Sequence, residues 1–346
     1  MLQSAEKLVS TLLKPLPKRQ QEVLEGRYGL KNGREMTLAA LGKRYGVTRE
    51  RIRQIQNLGL NELRRTAKQN GLAEFGDTVA KHLDKFGGAR KEADLATDVA
   101  YMLKSNAGAL NFANNVKFLL DASGAAAYTP EDKDIHAYWY SDADASKKLN
   151  GYVAKLVKIL SINKSAVLDG KKFGVYFADA AKGSGLNDNV ALNLTSISKK
   201  FTANHYGDVG LSAWSEINPK TSRDWAYLVL KREQKPLHFT TLAERINSIR
   251  QRKTNYQTVH NELIKDERFV LVGRGTYGLR EFGIMPGTAK EVMATLLKTH
   301  GPMRSHELVK LVLTKRMFKE NTLLLNLQNR EHFQRMSDGR YNIKEV

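Results

Sequence analysis

Thr37-Leu-Ala-Ala-Leu-Gly-Lys-Arg-Tyr-Gly-Val-Thr-Arg-Glu-Arg-Ile-Arg-Gln-Ile55 is the stretch from which the rest of this 346-residue chain is read. Leu38 and Leu41 put apolar side chains on one face of a first helix. Gly46-Val47 supplies a tight turn, and Thr48 suits the N-cap of a second helix because its hydroxyl can accept from an N–H of the first turn. The spacing predicts a helix-turn-helix. In the second helix Ile52, Ile55, Leu60 and Leu63 recur at three- and five-residue steps, which predicts burial. Arg49, Glu50, Arg53 and Gln54 fall on the opposite face, near the end that enters the major groove in such motifs.

The chemistry of that face suits base reading. Arg presents two donors to guanine, Glu accepts from cytosine N4, and Gln offers both a donor and an acceptor, so the set can discriminate sequences as a plain Lys stripe could not. A charged helix face is often merely solvated. Here the turn spacing and the basic surroundings favour readout of double-stranded DNA.

Moving outward, charge is distributed unevenly. The net charge is +20 with a pI near 9.8, the footprint of a nucleic-acid binder, since Lys and Arg displace counterions condensed on phosphates. Anionic membranes or ribosomal contacts would account for the sum equally well. Residues 1–70 hold 15 Lys/Arg against 6 acids, 71–220 hold 18 against 17, and 221–346 hold 23 against 13. Two basic ends therefore flank a neutral middle that spaces them or contacts protein.

Composition excludes several classes. With 41% hydrophobic residues the chain can build real cores, so wholesale disorder is not expected. Absence of cysteine excludes disulfides and thiolate metal sites. The eight His show no HExxH-type spacing, so neither metal nor cofactor is expected. The start, MLQSAEKLVSTLLKPLPKRQ, lacks a basic segment followed by an apolar one, and no run approaches ~18 apolar residues. The expectation is a soluble, cytoplasmic, nucleoid-associated protein with no membrane partner. There is no Walker loop, GxSxG, Cys nucleophile or paired acidic motif, so no enzyme is expected. Gly273-Arg-Gly-Thr-Tyr-Gly278 fits GxGxxG, yet it sits between the strand-like runs Phe269–Val272 and Leu279–Phe282 with no helix opening after it. A turn between strands is the better reading.

The C-terminal third contains an internal repeat. Leu230-Lys231 leads to Pro236, Leu242 and Ile246, while Leu297-Lys298 leads to Pro302, Leu308 and Val312 with the same spacings of six and ten from each Pro. Val259, Leu263, Phe269, Gly275 and Tyr277 then match Leu323, Leu327, Phe333, Gly339 and Tyr341. The glycines fall where a two-strand wing must turn, and Thr241-Leu-Ala-Glu244 has the form of a capping box that would open the second helix of the first copy. Arg274 and Arg340 are expected at equivalent places in the two wings, as backbone-phosphate contacts or as merely solvated tips. Residues 144–220 read as a similar unit, with a helix ending near Ile159, another from Phe173, a third before Lys200, and a wing around Tyr206–Gly210. Residues 71–143 read as a more divergent one, with a β-like run from Asp134 to Tyr140. The fold class expected is mainly α with small β wings: an N-terminal helix-turn-helix (1–70) followed by tandem winged helices (71–143, 144–220, 221–284, 285–346). The boundaries lie at polar, Gly or Pro clusters such as Asn218-Pro219-Lys220 and Met285-Pro286-Gly287.

Two resemblances sharpen this. Leu16-Pro-Lys-Arg-Gln-Gln-Glu-Val-Leu-Glu-Gly-Arg-Tyr-Gly-Leu30, followed by Thr37-Leu38, Gly42 and Val47–Ile55, resembles region four of the principal sigma factors over about residues 16–65. That resemblance implies that Arg49, Glu50 and Gln54 read a promoter −35 element, with Arg53, Arg27 and Thr37 on flanking phosphates. It also implies that the helix from Pro17 to Tyr28 helps grip the flap of the RNA polymerase β subunit. Ala39-Ala40 replaces acidic residues usual in the family, and Gly59 stands where Ala is preferred, weakening a helix interior by up to ~1 kcal/mol. No counterpart is seen of region two, whose aromatic helices capture the melted −10 strand, so a complete sigma factor is not expected. Residues 222–346 resemble HARE-type winged helices, also found in the delta subunit of bacterial RNA polymerase and beside restriction enzymes. No segment is left over for a nuclease. The function expected is a sequence-specific, sigma-like transcription factor. The rivals are a regulator that reads DNA without polymerase and a non-specific structural DNA binder.

Overall fold

Several helices of this chain, among them those of the helix-turn-helix, begin where the sequence supplies a side-chain acceptor for their first N–H groups. In the computed structural model, which describes residues 3–106, 108, 111–285, 287–316 and 318–344, Ser4 caps α1 (Ala5–Leu13) by accepting from the Lys7 N–H. Pro17, with its fixed φ and no N–H to satisfy, precedes α2 (Lys18–Tyr28). Thr37 opens α3 (Leu38–Tyr45) and Thr48 opens α4 (Arg49–Arg65), each hydroxyl accepting from the N–H three residues on. Two compact units are formed, Met1–Thr202 with Asp208–Ser212, and Ala203–Gly207 with Ala213–Val346. The chain is mostly helical with small antiparallel sheets. No described helix is long and apolar enough to cross a membrane.

In the first unit a short α5 (Ala67–Asn70) leads into α6 (Leu72–Lys85), β1 (Ala89–Lys91), α7 (Glu92–Met102), α8 (Phe112–Ser123), β2 (Ala127–Thr129) and β3 (Tyr138–Tyr140). Their sheet order is β1-β3-β2, all antiparallel. Only the end of the run from Asp134 to Tyr140 is strand; Ile135 forms an isolated bridge to Ser198 instead. Next come α9 (Ala143–Ile162), α10 (Lys164–Leu168), α11 (Phe173–Lys182), α12 (Asp188–Ile197) and the paired strands β4 (Phe201–Ala203) and β5 (Val209–Leu211). The helix expected to end near Ile159 continues to Ile162, where Asn163 Nδ2 donates to the Ile159 carbonyl and closes the last turn.

One core joins the start of the chain to the segment that follows. Leu8, Leu12, Leu24, Tyr28, Leu60 and Leu63 pack in a single cluster with Phe75, Phe118, Leu119 and Trp139. A second, smaller cluster of Val23, Leu41, Ile52 and Ile55 holds the helix-turn-helix together. Helices α2 and α4 thus contribute to both cores, Val23 turning one way and Leu24 the other. Each buried Leu or Phe gains about 1.5–3 kcal/mol over leaving it in water, so the shared cluster fixes α4 to residues 72–139. Arg64 strengthens the junction, donating from Nε and Nη2 to the carbonyls of Ala122 and Asp121 at the end of α8.

The second unit contains the repeat. Its first copy runs α13 (Ser222–Glu233), β6 (Leu237–His238), α14 (Phe239–Arg250), α15 (Tyr256–Lys265), β7 (Phe269–Gly273) and β8 (Thr276–Leu279), with sheet order β6-β8-β7. This is the order of β1-β3-β2: the strand after the first helix pairs with the last strand, which becomes central. The second copy runs α16 (Ala289–His300), α17 (Ser305–Lys315), α18 (Glu320–Leu327), β9 (Phe333–Arg335) and β10 (Tyr341–Ile343). A single bridge from Met303 to Tyr341 stands in place of a first strand. Leu242, Ile246, Val259, Leu263 and Phe269 are buried in one core, and Leu308, Val312, Leu323, Leu327 and Phe333 in the other. Each wing turns at the expected glycine, Gly275 with φ +64° and Gly339 with φ +83°.

Two details differ from expectation: the start of α14, and the run Leu279–Phe282, of which only Leu279 is strand while Arg280–Phe282 forms a 3-10 turn. Thr241 does not open α14. The helix starts at Phe239, because His238 ends strand β6 and its ring nitrogen accepts from the Thr240 N–H. Of the cluster Met285-Pro286-Gly287, Pro286 lies outside the described residues.

Candidate nucleic-acid interface

The turn before α4 is built by backbone contact. The Val47 N–H donates to the Gly42 carbonyl at 3.0 Å, and a Cβ at Gly42 would lie 2.7 Å from the Val47 carbonyl oxygen, so only glycine fits. Gly46 ends α3 in the left-handed region at φ +65°, a conformation glycine adopts without penalty. Gly59 has a packing reason too: a Cβ there would meet Leu24 Cδ1 at 3.0 Å, so the glycine lets α2 approach α4.

Ile52, Ile55, Leu60 and Leu63 are buried as the spacing requires. Arg49, Glu50, Arg53 and Gln54 are all exposed on the other face of α4. They are already organised. Arg53 donates to both Glu50 carboxylate oxygens, Nη2 at 2.6 Å and Nε at 2.9 Å. Arg51 Nη1 donates to Gln54 Oε1 at 3.1 Å. The Arg53 hydrogen bonds hold the Glu50 carboxyl below the usual carboxylate range. Arg49 makes no hydrogen bond or ion pair among the described residues, so its donors remain available at the first turn.

Arg27 and Thr37 have structural duties. Arg27 is half-buried and Nη1 donates to the Met36 carbonyl at 3.2 Å. The Thr37 hydroxyl accepts from the Ala40 N–H, leaving its own proton to donate outward. The sequence reading missed a cationic stack beside them: the Arg19 guanidinium lies 3.7 Å from the Tyr45 ring centroid, with Arg44 at 5.6 Å. Nothing in local spacing signals it, because Arg19 and Tyr45 come together only when α2 packs beside α3.

Along α2, Lys18 and Arg19 are exposed, whereas Val23, Leu24 and Tyr28 are buried. The Tyr28 hydroxyl donates to Asp121 Oδ2, and burial, followed by the Asp121 charge, pushes its pKa up. The apolar side of α2 is therefore covered by the chain itself.

The wings correct one expectation. By the register of the repeat Arg274 matches Asp338, and Arg340 matches Thr276; the two arginines flank the turn glycine on opposite sides. Arg340 also pairs with Asp338, Nε and Nη2 each 2.6 Å from Oδ2, while Arg274 is exposed at the tip between β7 and β8.

Comparison with known proteins agrees with this geometry. The family model for sigma-70, region 4, matches residues 12–65. That for HARE-HTH, the helix-turn-helix domain named for ASXL and restriction endonucleases among others, matches residues 220–282. The chain is 44% identical over 71 residues to the RNA polymerase principal sigma factor HrdD of Streptomyces griseus, covering 20% of this chain and 21% of that protein. Its identity to the protein of the same name from Streptomyces viridifaciens is 42% over 71 residues, with the same coverage. RNA polymerase sigma factor SigA of a Bacillus species matches at 45% over 64 residues, covering 18% of this chain and 17% of that one. The chain thus matches about a fifth of the length of these curated relatives. The second family match covers the first copy of the repeat and stops before the second.

Proposed function

We propose that this protein is a non-enzymatic, sequence-specific DNA-binding factor of transcription initiation, acting on promoter DNA of the −35 type and on RNA polymerase, in the cytoplasm at the nucleoid. One observation carries the reading: at the capped start of α4, directly after the glycine turn, Arg49, Glu50, Arg53 and Gln54 form one exposed face with complementary donors and acceptors. A helix entering the major groove by its N-terminal end presents this set to base edges. Arg27, Thr37 and the Arg19–Tyr45 stack border the same motif and would meet flanking phosphates. Sigma factors of RNA polymerase are the relatives over this segment, which supports the polymerase as a second partner, the β flap being the surface the resemblance implies.

A rival reading has its own observation. Because Leu24 and Tyr28 of α2 are buried within the chain, α2 offers a partner only polar contacts such as Lys18 and Arg19. A regulator that reads DNA without polymerase fits that surface. Selecting duplexes from a random pool with the full chain, then assaying core polymerase on the bound protein, separates the two. Enriched duplexes with polymerase retained support the initiation factor. Enriched duplexes without polymerase support the rival, and no enrichment overturns both.

A further inference from the structure

Among the described residues of the second unit, the one buried charge is Arg316, immediately after α17. It is 6% exposed. Nη1 donates to the Met285 carbonyl at 2.5 Å and Nη2 to the Leu271 carbonyl at 2.6 Å. Nε is buried without a hydrogen-bond partner, and Arg316 forms no ion pair among the described residues. Burying a guanidinium without a counter-charge is unfavourable. Two neutral carbonyls orient it and the Phe318 ring centroid lies 4.9 Å from its guanidinium carbon, but no counter-charge faces it among the described residues.

Arg316 lines a groove of about 1010 Å³ between the edge strand β7, the first turn of α16 and the start of α18. Arg274, Arg280 and Lys319 also line it. Among the described residues lining it, the one carboxylate, Glu291, is held in the capping box of Thr288, accepting from that residue's N–H and hydroxyl. Helix α18 follows Lys319, its N-cap, with no side-chain cap; Lys319 and Thr322 of this end line the groove, so the uncapped first turn, where the positive end of the helix dipole lies, borders it. Glu320, in that turn, is exposed and outside the lining.

We propose that this notch binds a phosphate group, a phosphodiester of a nucleic-acid backbone, with Arg316 as the buried counter-charge and Lys319 and Arg274 as direct contacts at the rim. The convergence of the first copy's wing and the second copy's third helix at one basic groove favours nucleic acid over an acidic peptide. Identity of the phosphate rests on the nucleic-acid reading above; binding of phosphate does not.

The test uses the full chain with two probes, inorganic phosphate and a short random-sequence duplex. Thermal unfolding is compared in phosphate and chloride at equal ionic strength, and duplex affinity is titrated against salt. Phosphate should raise the midpoint of the wild type above its value in chloride. Arg316→Met and Lys319→Ala should abolish that difference, while Lys298→Ala, exposed on α16, should keep it. On duplex DNA, Lys319→Ala should make the negative slope of log K against log salt shallower by about 0.9, the contribution of one phosphate. Lys319 is exposed, so its variant decides the matter even if Arg316→Met does not fold. A wild type indifferent to phosphate, or a response that survives Lys319→Ala, overturns the site. A lost response with an unchanged duplex slope keeps a phosphate site but overturns the backbone as its source. If the wild type fails to bind duplex yet its phosphate response depends on Lys319, the nucleic-acid reading falls and the site stands.

Discussion

Glu50 and Arg53 hold one another across one turn of α4, two hydrogen bonds at 2.6 and 2.9 Å on the face that points away from the core. An exposed pair of this kind adds little to stability. Its value lies in fixing where the carboxylate sits.

Replacing Glu50 by Ala should relax preference at one base pair, with discrimination falling by ~1–3 kcal/mol and affinity for random DNA little changed. Because the Arg53 hydrogen bonds hold the Glu50 carboxyl below its ordinary range, the side chain is ionised at neutral pH, and the preference should be lost only at a lower pH than in a variant with Arg53→Ala. Competition titrations with single-base variants of a selected duplex measure both. Uniform weakening on every sequence would remove Glu50 from base reading.

Glycines of the motif should differ in cost. Gly42→Ala sets a methyl 2.7 Å from a backbone carbonyl, whereas Gly46→Ala meets nothing within 4 Å and bears only the left-handed φ. The second should cost about 1 kcal/mol and the first more, ~2–4 kcal/mol, because backbone must move. Urea unfolding monitored in α4 ranks them. Equal losses would show that the turn is looser than described.

The helix-turn-helix should not stand alone. Leu24, Tyr28, Leu60 and Leu63 lose their partners Phe75, Phe118 and Trp139 if the chain stops at residue 70. Such a fragment should be markedly less stable than the same residues within the full chain. Leu24→Ala in the full chain should cost ~2–5 kcal/mol and lower the protection of amide hydrogens in α4 and α8 together. Loss of protection in α4 alone would mean that the two segments fold independently.

Much of this was legible because it is local. The Thr48 cap, the Gly46 turn and the buried steps of α4 follow from residues within one or two turns of each other. The repeat was legible because its core positions recur at fixed spacing. What escaped was set by distant partners. His238 rather than Thr241 caps α14 because pairing of β6 with β8 fixes where the strand ends. Sheet order β1-β3-β2 depends on pairing Ala89–Lys91 with a strand about fifty residues on. The Arg19–Tyr45 stack and the burial of Arg316 are likewise products of packing that no local pattern encodes.

The wing arginines give the last prediction, which follows from what each already touches. Arg274 lies exposed at the β7–β8 tip, beside Gly275. Arg340 is held by Asp338 within its own turn, and that carboxylate, drawn below its usual range chiefly by the Arg340 hydrogen bond, stays charged at neutral pH. Arg340 can meet a phosphate only with the N–H groups this pair leaves free, and Asp338 repels the same phosphate. Phosphate contacts carry no base information, so substitution should change salt dependence without changing preference. Arg274→Ala should make the negative slope of log K against log salt shallower by about 0.9, the share of one phosphate on duplex DNA. Arg340→Ala should leave it nearly unchanged, and Asp338→Ala should steepen it if Arg340 is within reach of the backbone. Titrating the three variants and the wild type against one selected and one scrambled duplex at several salt concentrations checks the ranking. A larger loss for Arg340 than for Arg274 would mean that the second wing meets DNA and the first does not. The groove beside β7 would then lose its direct contact at Arg274.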